Sequence, residues 1–302
     1  MKPGKKILKK TWEILKDTGK SLNQHEPIIY SAAIAFFTIF SLPAILIVLT
    51  LAGSAFFSEK EVREEIVYQL EGLISPEVGG QIGVVLENVV QVPSGIWGIL
   101  IGVLVVGKSA TIIFFIIQKA LNSVWQVRVK EKVSYLLVLK HRLIALALVA
   151  GLGLVLLLSL LLDTVIFMFG EELYSLFEEF FTPAVRVINR VFYLAMVLFF
   201  FVSILKFLPD VKVTWKDAAA GGLITAVLFL IGKQLINYIL GSIKVVGIYA
   251  AAGSFVVVLL WVFYSSVILF LGAILTKAYA NYHGRQAIPT AIAYKYAKER
   301  VE

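Results

Sequence analysis

The chain has 302 residues, of which 59% are hydrophobic and only 16% charged. An ordinary globular domain carries roughly 25% charged residues, and a soluble fold of this length could not hide so much apolar surface, so a soluble enzyme is excluded. The net charge of +8 sits in blocks beside apolar runs, which points to anionic lipid headgroups rather than nucleic acid. With no cysteine, disulfides, thiolate metal sites and thiol nucleophiles are also excluded.

The first 27 residues carry seven lysines around the apolar stripe Ile7, Leu8, Trp12 and Leu15, the pattern of a helix lying on a membrane surface. No uncharged apolar core follows those lysines within Met1–Lys20, so the segment does not read as a secretory signal. A spanning helix needs about 20 mostly apolar residues, and six runs qualify. The first is uncharged from Ile28 to Ser58; the second runs from Gly95 to Ile117, broken by Lys108. The third, Leu143–Gly170, contains Asp163. The fourth follows Arg190 and ends before Lys206. The fifth, Ala218–Leu240, contains Lys233, and the sixth lies within Val245–Thr276. The expected fold is an all-α integral membrane protein: residues 1–27 a basic amphipathic segment, 28–278 a six-span membrane domain, 279–302 a tail.

Between the first two spans, Val62, Ile66, Leu70, Leu73 and Ile74 recur at helical spacing among glutamates. After Ser75-Pro76 the pattern resumes with Val78, Ile82, Val85, Leu86 and Val89. Two short amphipathic helices, over about residues 59–92, are therefore expected on the outer face. Orientation follows from the flanks. With the N-terminus inside, inner segments hold 21 lysines and arginines against 5 in outer ones, so both termini are expected to be cytoplasmic. Trp12, Trp125 and Trp215 then fall at inner interfaces and Trp97 at an outer one.

Charges inside spans carry the functional expectation, because each costs at least about 2.5–3.5 kcal/mol at the centre of an isolated helix. Lys108 lies near the middle of its span, Asp163 and Lys233 in the outer halves of theirs, and Arg186 and Arg190 one turn apart at an outer end. They suggest an outward-opening polar cavity with an Asp163–Lys233 pair and surplus positive charge for an anionic group such as a phosphate or carboxylate. The competing reading is a salt bridge that only fixes helix register, the other cations reaching for the interface. Pro43, in mid-span, frees the carbonyl of Ile39 and marks a kink or hinge that Thr38 and Ser41 can compensate. Gly98, Gly102 and Gly151 stand at small-residue spacings that mark close helix packing.

No Walker loop, G-x-S-x-G or H-E-x-x-H motif is present. His25, His141 and His283 lie far apart without a ligand partner at metal spacing. The inner segments hold no acidic cluster for the two metal ions of a nuclease. Neither an enzymatic activity nor a cofactor is expected.

Several segments then fit one pattern. Ser31-Ala-Ala-Ile-Ala-Phe-Phe, continuing to Phe40-Ser-Leu-Pro43, is similar to the first span of the bacterial YihY/BrkB membrane-protein family. Ala120-Leu-Asn-Ser-Val-Trp125 resembles its A-L-N-x-x-W element. Phe207-Leu-Pro-Asp210, Trp215-Lys-Asp217 and Gly221-Gly222 resemble its L-P-(N/D) loop and the span after it. Tyr249, Gly253, Leu260-Trp261 and Leu271-Gly-Ala273 follow its last span, with Ala250 where the family usually has glycine. The likeness covers roughly residues 25–280. It implies six spans in a bacterial cytoplasmic (inner) membrane and a link to envelope integrity. Members were formerly labelled ribonuclease BN, a name nothing in these residues supports. The resemblance supplies no substrate and no catalytic residues.

The expected function is binding or translocation of an anionic lipid or other amphiphile through the outward-opening polar cavity; the alternative is a non-transporting structural component of the envelope. A membrane-tethered nuclease is remote. Expected partners are membrane lipids, anionic ones first, then envelope proteins or a second copy of the chain. Nucleic acid is not expected.

Overall fold

The structure, a computed structural model, describes residues 26–54, 57–73, 76–89, 96–131, 181–242 and 253–296. In chain order these form α1 (Pro27–Gly53), α2 (Glu59–Leu73), α3 (Pro76–Val89), α4 (Ile96–Trp125), β1 (Val127–Val129), α5 (Phe181–Phe207), α6 (Trp215–Ser242), α7 (Gly253–Tyr282) and β2 (Ala293–Lys295). Three stretches are long and apolar enough to cross a membrane by length and composition: Arg190–Phe207, Trp215–Ile236 and Val256–Tyr282. The expected third span, Leu143–Gly170, and the amphipathic N-terminal segment lie outside the described residues. The described residues belong to two compact units, one drawn from Leu15–Ala120 and Val227–Leu271, the other from Leu121–Ala226 and Gly272–Glu302.

In the first of these units, α2 and α3 are the two short helices expected from periodicity. Ser58 and Glu61 start α2 with a reciprocal cap: the Ser58 N–H donates to Glu61 Oε2 at 2.9 Å and the Glu61 N–H to Ser58 Oγ at 3.3 Å. Accepting from the Ser58 hydroxyl and N–H holds the Glu61 carboxyl below its ordinary range. Pro76 opens α3, where its missing N–H leaves no bond unmade. The apolar stripes of both helices meet Leu46 of α1 and Val257, Val258 and Trp261 of α7 in one core. Helix α1 runs unbroken through Pro43, and the Ser41 hydroxyl donates to the Thr38 carbonyl at 3.0 Å. Gly232 of α6 lets α7 approach closely. A Cβ there would stand 1.1 Å from the Tyr264 hydroxyl, which donates to the Leu228 carbonyl at 3.1 Å.

The second unit departs from an all-helical fold. Gln126, at φ 56°, ends α4 in the left-handed region and redirects the chain into Val127-Arg-Val129. This β-branched alternation pairs antiparallel with β2, Val127 opposite Lys295 and Val129 opposite Ala293. The last helix extends to Tyr282 and stops at Gly284, φ 67°. There the Arg285 N–H bonds the Ala280 carbonyl and the Gly284 N–H bonds the Asn281 carbonyl, a Schellman turn. Residues after it fold back rather than trailing away.

In the same unit α6 and α7 cross through an interlocked pair of Gly-x-x-x-Thr steps. Gly221 faces Thr276 and Gly272 faces Thr225; a Cβ on either glycine would fall 1.8 Å from the facing threonine Oγ1. Each threonine is fully buried and donates to the carbonyl four residues earlier, Thr225 to Gly221 and Thr276 to Gly272, both at 2.7 Å. Gly222, next along α6, packs against Val202 of α5.

Candidate functional site

The second unit gathers its buried polar groups where α4 and α5 end and α6 begins. Asn122, on the last turn of α4, donates to Asp210 Oδ2 at 2.6 Å and accepts the Asp210 N–H at 2.8 Å. These residues are 88 apart in sequence, and Asp210 is completely buried. The loop Leu208-Pro209-Asp210 is thereby pinned under α4. Lys277 of α7 reaches across and donates to the Val124 carbonyl at 2.7 Å. That carbonyl belongs to the last turn of α4, where backbone acceptors lack helical partners and favour a cation.

A second polar group sits at the start of α6. Thr214 caps the helix, its hydroxyl donating to Asp217 Oδ2 at 2.7 Å while the Asp217 N–H bonds back to it at 3.3 Å. The same carboxylate receives Arg285, with Nε at 3.0 and 3.1 Å and Nη2 at 2.5 Å. Those bonds hold the guanidinium above its ordinary range. Backbone bonds continue the strap: the Lys212 N–H to the Ile288 carbonyl, the Thr290 N–H to the Asp210 carbonyl, the Lys130 N–H to the Ile292 carbonyl. The arrangement ties four chain segments together. Its carboxylates are committed to neighbours inside the fold, so its chemistry is that of a staple. Among the described residues no group of three or more histidines, aspartates or glutamates could hold a metal ion.

The sequence singled out other residues. Lys108 is exposed on α4, Lys233 is half-buried on α6, and both belong to the first unit. Arg190 is exposed on α5 and Arg186 precedes it by one turn, in the second unit. All four are cations; Asp163, the acid expected to balance Lys233, lies outside the described residues. Trp125, expected near an inner interface, is covered by protein. It is only 3% exposed and packs with Val127, Val211, Val213 and Ala293, because the strand pair and the returning tail cover it.

The staple residues Asn122, Asp210, Asp217, Lys277 and Arg285 were not singled out as a site. Yet three of them stand in the segments noted for their pattern, Ala120–Trp125, Phe207–Asp210 and Trp215–Asp217. Two acids with no function assigned, each beside a short motif near a span end, were the available signal.

A sequence model of the family Virulence factor BrkB matches residues 19–292. A UPF0761 membrane protein of Idiomarina loihiensis is 28% identical over 237 residues, covering 76% of this chain and 77% of that protein. Another, from Legionella pneumophila, is 23% identical over 252 residues, covering 81% of this chain and 57% of that one. No solved structure matches.

Proposed function

The chain belongs to the Virulence factor BrkB family of membrane proteins, and from that premise we propose that it binds or translocates an anionic amphiphile within the membrane. A phospholipid or an envelope-lipid precursor has the right chemistry. The protein works without catalysis in a bacterial cytoplasmic membrane, with six spans and both termini inside. Lys108 and Lys233 contact the headgroup, and Pro43 allows movement.

The observation that carries this reading is Lys108. It stands twelve residues into the 30-residue helix α4, about 18 Å from its start and about 25 Å from its end at 1.5 Å per residue. The side chain is exposed, and among the described residues no carboxylate forms an ion pair with it. At that depth an ammonium needs water or an anion. A second reading, a structural component that moves nothing, draws on the interlocked Gly–Thr crossing, which suits a rigid bundle.

The absence of cysteine makes the test direct. Lys108→Cys supplies a single thiol, and Glu61→Cys, at an exposed position of α2, supplies a control. A membrane-impermeant maleimide added outside should label both. Labelling at 61 with none at 108 would contradict an outward-opening cavity.

A further inference from the structure

We propose that the turn between α5 and α6, residues 206–216, is a docking site for the headgroup of an anionic phospholipid, separate from the intramembrane cations. Phe207 is the last residue of one candidate span and Trp215 the first of the next. The 18 and 22 residues of those spans measure about 27 and 33 Å, close to the roughly 30 Å hydrocarbon thickness. The turn therefore meets one membrane surface. Phe207 and Trp215 pack edge to face with centroids 5.6 Å apart, yet remain 41% and 59% exposed. An exposed aromatic pair at a span boundary is covered at the interface, where rings sit among headgroups.

The charges beside the pair select the lipid. Lys206 is occupied: its ammonium donates to the Val213 carbonyl and lies 5.3 Å from the centre of the Trp215 ring. Lys212 and Lys216 are exposed, and no described carboxylate forms an ion pair with either. The acid of the turn and the one that follows it are turned inward, Asp210 to Asn122 and Asp217 to Thr214 and Arg285. The turn thus presents two uncompensated ammonium groups next to an apolar surface. A phosphate with a neighbouring acyl chain matches both parts.

The experiment uses the full chain in phosphatidylcholine nanodiscs containing a minor fraction of brominated lipid, which quenches nearby tryptophan. The Trp215 signal is the difference between the unsubstituted protein and Trp215→Phe. Brominated phosphatidylglycerol should quench that signal more than brominated phosphatidylcholine at the same fraction. Local enrichment should be about fivefold per lysine, falling as salt is raised. The double variant Lys212→Gln/Lys216→Gln should make the two lipids equivalent, while Lys108→Gln should leave the preference unchanged. Equal quenching by both lipids in the unsubstituted protein, or a preference that survives the double variant or high salt, would overturn the proposal. Loss of the preference in Lys108→Gln would overturn it too, by assigning the lipid to the intramembrane site.

Discussion

Gly221→Ala and Gly272→Ala should each destabilise the protein by about 1–3 kcal/mol, the usual range for forcing a methyl group into a filled contact. At Gly221 the new Cβ would stand 1.8 Å from Thr276 Oγ1, 2.8 Å from its Cβ and 3.2 Å from its Cα. Turning the hydroxyl away relieves only the first of these contacts. The other two require α6 and α7 to separate, which also disturbs the second Gly–Thr step facing the opposite way. At Gly272 the obstacles are the Oγ1, Cβ and Cγ2 of Thr225. Gly80, an exposed position of α3 with nothing within 4 Å of a Cβ, is the opposite case. There alanine should stabilise by about 0.5–1 kcal/mol through helix propensity. Unfolding in graded sodium dodecyl sulfate, followed by circular dichroism, separates the two outcomes. Near-neutral substitutions at both crossing glycines would show that the helices do not interlock.

Asn122→Ala should cost about 3 kcal/mol, because it removes a donor from a buried carboxyl and leaves a buried N–H without its acceptor. The carboxylate of Asp210 is fully buried, so water cannot replace the lost amide without opening the loop. The loop carries the backbone bond to Thr290, and its loosening should spread to the returning tail. The same unfolding assay checks the size of the loss. Proteolysis of the tail, faster in Asn122→Ala than in the unsubstituted protein, checks its route. A loss under about 1 kcal/mol would place the pair among ordinary neutral hydrogen bonds.

The elements set by local chemistry were legible in the sequence. Apolar runs located α1 and α4 to α7, because membrane length and composition act on contiguous residues. The stripes on α2 and α3 were readable for the same reason: Ile66 and Leu70 lie one turn apart, as do Ile82 and Leu86. What escaped depends on partners distant in the chain. Asn122 gives no sign of Asp210 88 residues away, nor Asp217 of Arg285 at a separation of 68. Nothing in Trp125 itself shows the strand pair that covers it. A three-residue strand carries too short a pattern to stand out beside a 30-residue helix. The glycines of the crossing stand within the family pattern, but their role needs the facing threonine, which hydropathy does not encode. Lys108 and Lys233 could be placed along their helices from counting alone. Their surroundings across the bundle could not, since a periodicity fixes depth and face but not the neighbour.

The most direct measurement of the proposed function is mass spectrometry of lipids that stay with the protein after gentle extraction from bacterial membranes. If the intramembrane cations hold a headgroup, an anionic amphiphile should be retained above its share of the membrane. Measured in the Lys212→Gln/Lys216→Gln background, so that the turn between α5 and α6 holds no anionic lipid, Lys108→Gln, which exchanges a lone ammonium for a more easily buried amide, should lose most of that retention while keeping its fold. A triple variant that folds normally and retains the same anionic lipid would contradict the account and leave the structural reading in its place.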